Sequence, residues 1–389
     1  MPQSGLFATQ DIPLGTRIIC EPPLITLPAP GDQIDGLLLA FAALSEVDKE
    51  RFWALPTCPA SASEQLMAIK RQIDPLFPRM ATLANKKTPQ TPREVADVAK
   101  YGPRLEHAIT TLRVAARWYA GRYSLTNLLE EERILLPKDT PIAGIFIEAG
   151  RLRHSCVPNC YAHYNSTANR MTVHATTNIA ANEELNISHL ASGYYEPAAE
   201  RAQELSQKFG IRCNCTACSP SSNEYKKQED ARIRARDHAL RLEHFLATLD
   251  DAEECDNSGA VVSLKPPTVS KPRTLAALEA AEQTALDVLQ ALRDMHCGSG
   301  IEFTRWFNAL IDVINPALAE FPEYERATRS SLVLIHAAYV LRLCRWTVGE
   351  DSDEFAVLVA RKKRVEGVIE GDEERAKGLE ESRKRIGIL

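Results

Sequence analysis

Apolar and polar residues alternate at the start of the chain, in Leu6 to Ala8 and again in Thr16-Arg17-Ile18-Ile19-Cys20-Glu21, with Pro13-Leu14-Gly15 between them. This pattern predicts a strand pair joined by a turn. From residue 32 to about 136 the period changes. Leu37, Leu38, Leu39, Leu66, Ile69, Ile73, Val95, Val98, Leu105, Ile109, Leu112, Ala116 and Tyr119 fall at helical spacing. Pro56, Pro75, Pro78, Pro89 and Pro92 should divide that insertion into short helices. Strand character returns at Ile142-Ala143-Gly144-Ile145-Phe146-Ile147 and at Arg170-Met171-Thr172-Val173-His174-Ala175. Ala8 to Gly15 and Ala175 to Asn182 also echo each other: both open on Ala-Thr, carry Ile four residues past the Ala and end on a residue that tolerates positive φ. They read either as equivalent turns leading into strands, with Gly15 matched to Asn182, or as a chance likeness.

Ser219-Pro220-Ser221-Ser222-Asn223 marks a boundary. Beyond it helices are expected over Glu224 to Leu249, Leu275 to Met295, Phe303 to Ile314 and Arg326 to Trp346, with an acidic, Pro/Ser-rich linker around Asp250 to Arg273. Leu332, Ile335, Ala338, Tyr339 and Leu343 form a stripe suited to bundle packing. No clean 34-residue repeat is present. Arg361-Lys362-Lys363-Arg364 reads first as a solvated helix face and second as a nuclear signal. The expected organisation is a first domain over residues 1–220, with insertion 32–136 and a loop at 205–220, followed by a helical domain over residues 224–389.

Length allows two to three domains with an ample core, and composition narrows their setting. Lys+Arg number 46 against 52 Asp+Glu, and the net charge of -6 argues against broad or sequence-specific nucleic-acid binding, leaving room for a local basic patch. Near Met1 there is no basic leader or cleavage-like site, and no eighteen-residue apolar run occurs, so neither secretion nor membrane insertion is expected. Cys20, Cys58, Cys160, Cys255, Cys297 and Cys344 are too scattered for a disulfide framework. An intracellular setting, nucleus and/or cytoplasm, follows as the expectation.

The remaining four cysteines are the strongest chemical signal. Cys156 lies in Arg153-His154-Ser155-Cys156-Val157-Pro158-Asn159-Cys160, and Cys213, Cys215 and Cys218 lie in Arg212-Cys213-Asn214-Cys215-Thr216-Ala217-Cys218. Three thiolates so close in sequence wrap only part of a tetrahedral zinc, and a distant fourth must close it, with Cys156 the leading candidate. The plainer alternative is four reduced thiols on the surface or in the core.

These segments, with Glu183-Glu184-Leu185-Asn186-Ile187-Ser188-His189 and with Gly5-Leu6-Phe7-Ala8-Thr9-Gln10-Asp11-Ile12-Pro13-Leu14-Gly15-Thr16, resemble the core of a SET domain. That family consists mostly of protein-lysine methyltransferases. Its pattern is an Asn-His-Ser-Cys-x-Pro-Asn segment, a Glu-Glu-Leu strand ending in tyrosine, and a Cys-x-Cys-x-x-Cys post-SET loop. The resemblance covers residues 1 to about 28 and about 140 to 220. It is nearest to the SET and MYND group and its MYND-lacking fungal cousins, because the post-SET loop follows an Arg-rich helix and a helical tail comes after it; Cys58 stands alone in the insertion, so the MYND finger is expected to be absent. It implies an α+β fold: a SET β-fold of short strands with a helical insertion, a zinc-bound post-SET loop and an all-α C-terminal region.

The resemblance also implies S-adenosylmethionine and zinc as cofactors, with Gly5, Leu6, Arg153 and His154 at the donor site. Phe209 matches an adenine-stacking position, although a buried structural aromatic accounts for it equally well. The metal ligands it implies are Cys156, Cys213, Cys215 and Cys218. Three residues depart from the pattern at chemical positions. Gln3 replaces the first glycine of the donor turn. Arg153, with donors and no acceptor, replaces the asparagine. His189 stands where the catalytic tyrosine is expected, and Tyr194 or Tyr195 either compensates for it or serves only in loop packing. Two functions therefore stand side by side: a protein-lysine methyltransferase of reduced or redirected activity acting on a histone or non-histone protein, or an inactive zinc-stabilised SET-fold module. In both, the helical tail is a surface for partner proteins.

Overall fold

Short apolar runs on either side of the helical insertion become strands because each is too brief for a helix and can bury one face against a neighbour. In the computed structural model the described residues are 5–28, 33–86, 91–126, 137, 140–190, 193–250, 274–318, 320–321 and 326–369. Gln3, Pro89, residues 127–136, nearly all of the linker at 250–273, the end of the tail beyond 369 and the side chains of Leu332 and Arg364 lie outside that set. Among the described residues nine strands form three three-stranded sheets. They are β1 (Leu6–Phe7), β2 (Arg17–Glu21), β3 (Ile25–Pro28), β4 (Arg122–Ser124), β5 (Pro141–Ile145), β6 (Arg153–His154), β7 (Cys160–Asn165), β8 (Arg170–Ala175) and β9 (Glu184–Ile187). The sheet orders are β1-β9-β6, β2-β8-β7 and β3-β5-β4.

The first two strands do not pair with each other, contrary to the expected strand pair. Leu6 lies opposite Leu185, while Cys20 lies opposite Thr172. The connection between them is itself zipped to a distant segment, and that segment is its sequence echo. The Ile12 and Ile179 backbones exchange hydrogen bonds, Gly15 N donates to Ala175 O and Asn182 N donates to Ala8 O. The side chains repeat the relation: Leu14 N donates to Asn178 Oδ1, and Ala181 N donates to Asp11 Oδ1. Gly15 and Asn182 both take positive φ, 83° and 68°. The two runs are thus equivalent halves of a local two-fold arrangement, each satisfying the other's turn.

The insertion folds as α1 (Ile34–Ala42), α2 (Glu46–Trp53), α3 (Glu64–Ile73), α4 (Phe77–Ala84) and α5 (Pro92–Gly121). Local chemistry sets several of these ends. Ser45 caps α2 by accepting from Asp48 N, and Thr91 with Glu94 forms a capping box before Pro92 at the first position of α5. α5 ends at Gly121, short of residue 136 where the helical pattern ends, and residues 127–136 lie outside the described set. Residues 122–124 turn to strand because β5 offers an open edge and Tyr123 packs edge-on against buried Phe146. Leu66, Val114 and Trp118 bury the insertion against Ile25, Leu27 and Ile145.

The C-terminal half contains α6 (Ala198–Glu204), α7 (Asn223–Asp250), α8 (Leu275–Asp294), α9 (Gly300–Asn308), α10 (Asn315–Leu318), α11 (Arg326–Thr347) and α12 (Asp353–Ile369). Residues 309–314 form a π-helical turn, which shifts the face anticipated for Phe303 to Ile314. Ile335, Tyr339 and Leu343 fall on or beside the apolar core built from α7 to α12. This core meets the sheets closely: a Cβ at Gly15 would overlap the Trp346 indole. None of the described helices is long and apolar enough to cross a membrane.

His174 sits at this junction and should make stability depend on pH. Its Nε2 accepts from Arg17 Nε at 3.1 Å, and Arg17 also pairs with Asp351 in the turn after α11. Burial first, and then the Arg17 charge, lower His174 to about 4. An unfolded histidine titrates near about 6.5. Between those values the unfolded chain binds the extra proton, so stability is full above about pH 6.5 and is lost as pH falls toward 4. Urea unfolding should register a loss of up to about 3 kcal/mol from this group, and the drop should shrink in His174→Gln.

Candidate functional site

The cysteine centre is assembled by two chain reversals. After α6 the chain makes a π-helical turn over Leu205–Phe209 that ends at Gly210, whose φ of 67° is open to glycine, with Ile211 N donating back to Leu205 O. This delivers Cys213 to Cys218 beside the end of β6, where Ser155 N donates to Ile187 O and sets Cys156 in place. The Sγ atoms of Cys156, Cys213, Cys215 and Cys218 lie within 4.8 Å of one another, and Cys156 and Cys218 are 3.5 Å apart. A tetrahedral zinc with bonds of about 2.3 Å separates its sulfurs by about 3.8 Å, so the four-sulfur cage suits that ion. The surroundings suit thiolates too. Buried Arg201 directs Nε to Cys156 Sγ at 3.3 Å and a terminal nitrogen to Cys218 Sγ at 3.6 Å. Hydrogen bonds from the neighbouring thiols, together with burial, hold the Cys156 thiol far above the usual range. Sulfurs this close need a cation before all four can ionise.

Beside the cage lies a cleft of about 900 Å³ whose lining includes Arg153, His154, Glu184, His189, Phe209, Arg212, Cys213 and Cys215. A chamber of about 400 Å³ adjoins it, lined in part by Tyr123, Tyr161, His189, Leu190, Tyr194, Phe209 and Glu302. His189 and Phe209 belong to both walls. The His189 ring lies between those of His154 and Phe209, with centroids 5.6 and 5.5 Å away, and its backbone N–H donates to His154 Nδ1 at 3.0 Å. Loss of water around the ring lowers His189 to about 4, and the same effect, followed by the neighbouring His189, lowers His154 to about 3. Both imidazoles are neutral at pH 7.

A reciprocal clamp holds the strand beneath them. Asn159 N donates to Asn186 Oδ1 and Asn186 N donates to Asn159 Oδ1, while Asn159 Nδ2 reaches Glu183 Oε1 and Glu184 O. β6 thereby runs parallel to β9, with Arg153 opposite Asn186 and His154 opposite Ile187. Arg153 forms an ion pair with Glu184 at 3.3 Å. A Cβ at Gly5 would overlap Glu184 Oε1 and lie 3.4 Å from Arg153 Cδ, so a side chain here would displace the Glu184 carboxylate from its place beside Arg153. Leu6 pairs with Leu185 on β9.

The fold therefore gathers Arg153, His154, His189 and Phe209 around one cleft that Cys213 and Cys215 of the cage also line, whereas Gly5, behind the Arg153 and Glu184 side chains, and Leu6 are not among its lining residues. The two tyrosines part company. Tyr194 is buried and lines the chamber. Tyr195 lines neither cavity; its hydroxyl donates to Glu302 Oε2 and accepts from Trp306 Nε1, both at 2.7 Å. Loop packing therefore describes Tyr195 in this structure. Sequence reasoning passed over Arg201, Arg232, Tyr123, Tyr161 and Glu302. Tyr161 offered a local signal, five residues after Cys156, but nothing in one sequence distinguishes a buried arginine from an exposed one.

The family model described as "SET domain" matches residues 3–190. A curated relative, the histone-lysine N-methyltransferase set5 of Schizosaccharomyces pombe, is 31% identical over 94 residues, which are 24% of this chain and 29% of that protein. The matched segment thus spans less than a third of the relative's length. The match places a SET domain over residues 3–190, just under half of the chain, and the parallel β6-β9 pairing and the Asn159–Asn186 clamp lie inside that stretch.

Proposed function

We propose that this chain is an S-adenosylmethionine-dependent protein-lysine N-methyltransferase, carrying one zinc ion on Cys156, Cys213, Cys215 and Cys218. The observation that carries the reading is the meeting of two cavities at His189, at the end of the SET domain match, and Phe209, just beyond it. Methyl transfer to lysine needs a methyl donor and a neutral amine brought together from opposite sides. The larger cleft has the volume of a cofactor pocket, and the Phe209 face and the His154 segment would hold the donor there, with Gly5 behind the Arg153–Glu184 pair at its edge. The chemistry S-adenosylmethionine supplies when bound is an electrophilic methyl group on a sulfonium.

The smaller chamber is suited to the lysine. Tyr123, Tyr161, Tyr194, Leu190 and Phe209 wall it largely with rings and aliphatic carbon, which strips water from an entering ammonium and favours its neutral, nucleophilic form. Neutral His189 contributes shape and a polar edge at the junction. It is poorly matched to removing the proton, because burial holds its ring near 4, well below the range of an ammonium even after partial desolvation. Bulk water or another group accepts that proton. A thiolate cage also requires a reducing compartment, which fits a nuclear or cytoplasmic enzyme.

One observation favours the second reading, an inactive SET-fold module: the Arg153–Glu184 pair covers Gly5 at the donor position. The two readings separate by transfer of a labelled methyl group to histones and to a lysine peptide library. Transfer that depends on chamber residues such as Tyr161 supports the enzyme, and donor binding too weak to detect by calorimetry supports the module. Arg153→Asn should strengthen donor binding by about 1 to 3 kcal/mol in the same calorimetry, because it restores an amide with both donor and acceptor and opens the pair over Gly5. Tighter binding by the wild type would mean that Arg153 is itself a donor ligand.

A further inference from the structure

We propose that Arg201 and Arg232 are the charge partners of the metal centre and that they link metal loading to the docking of α7. The inference rests on the metal reading above and extends it into the helical region. Both side chains are fully buried. Arg201, on α6, donates from Nε to Cys156 Sγ, from one terminal nitrogen to Ala217 O at 2.9 Å and toward Cys218 Sγ, and from the other to Glu196 O at 2.5 Å. Glu229 on α7 stands 3.7 Å from Arg201. Arg232, one turn further along α7, donates to Cys156 O at 2.6 Å and to Gly193 O, and its Nε has no hydrogen-bond partner. No carboxylate forms an ion pair with Arg232 among the described residues.

Two buried guanidiniums, of which only Arg201 has an ion-pair partner among the described residues, leave positive charge in a region where unpaired charge is severely disfavoured. A zinc ion held by four thiolates carries an excess of two negative charges, placed against Arg201 and across the Cys156 carbonyl from Arg232. Arg201 meets that charge directly through its sulfur-facing N–H groups. Arg232 meets it across the Cys156 carbonyl, so the ligand's own backbone is held from α7. Loading the metal would therefore stabilise α6 and α7 where they lie, and removing it would leave two buried cations facing neutral thiols. Partners of a metal's ligands commonly change its affinity by about 10- to 100-fold.

The test uses the full chain and zinc itself. Wild-type protein purified without chelator is first analysed for metal; absence of zinc overturns the metal reading and this inference together. With zinc present, competition against a chromophoric chelator compares wild type, Arg201→Met, Arg201→Lys and Arg236→Met. Arg236 is the control, since it bridges α7 to Glu200 on α6 at 2.9 Å without touching sulfur. Arg201→Met should weaken zinc binding by about 10- to 100-fold, Arg201→Lys less because it keeps the charge, and Arg236→Met not at all. Equal affinity in all four overturns the charge-partner role while leaving the metal intact. Should Arg201→Met fail to fold, hydrogen exchange on wild type decides alone: stripping zinc should speed exchange at residues 193–201 and 228–236, and unchanged exchange there overturns the link.

Discussion

Cys215→Ser is expected to abolish stoichiometric zinc binding and to lower stability by about 3 to 5 kcal/mol, the cost of removing one partner from a buried charged cluster. One of four sulfurs at a compact cage is lost, and the remaining three no longer enclose the ion. The first effect is local, at residues 205–220, whose hold on the sheets runs through Cys156 and Arg201. The reach of the change follows from Arg232: the early turns of α7 should loosen, while α8 to α12 keep their own apolar core around Leu289, Trp306 and Phe307. Elemental analysis and hydrogen exchange read the two effects separately. Protein that holds no zinc before mutation, or a variant that holds it undiminished, would contradict the ligand assignment.

His189→Tyr is expected to raise methyl transfer by about 10- to 100-fold, a gain on the scale that correct alignment of reacting atoms provides. The ring at this position is the wall shared by cleft and chamber, and His154 Nδ1 fixes its backbone, so a larger phenol would extend from the same anchor toward their junction. Because a neutral imidazole near 4 is a poor acceptor for a lysine proton, the wild-type rate should not follow a histidine titration between pH 6 and 8. Methyl-transfer rates for both proteins over that range test the two statements together. If the chain is a binding module, neither protein transfers methyl. Robust wild-type transfer destroyed by the tyrosine would place a chemical role on His189 that its surroundings do not predict.

Legibility in the sequence followed the range of the interactions involved. Apolar periodicity located β8 to the residue, and α8 and α11 to within one, because each buries a regular face set by spacing along the chain. The echo of Ala8 to Gly15 in Ala175 to Asn182 was visible, as were its two positive-φ ends, since turn chemistry is local. That the two runs bind each other was not visible: pairing is a choice among strand edges, and strand patterns alone made the neighbouring β1 and β2 look like partners. The return to strand at Arg122 was hidden for the same reason, as it depends on an open edge of β5.

The site divides in the same way. Residue type and close spacing singled out the four cysteines, and the resemblance to the SET pattern singled out His189 and Arg153 as departures from it. Which groups surround them was decided only by folding. Tyr194 and Tyr195 are adjacent in sequence, yet one lines the chamber and the other is hydrogen-bonded to Glu302 and Trp306, since neighbouring side chains in a turn leave the backbone in different directions. Arg201 and Arg232 are two among many arginines until α6 and α7 bury them against Cys156, where the removal of water turns ordinary surface charges into cations that need the sulfurs.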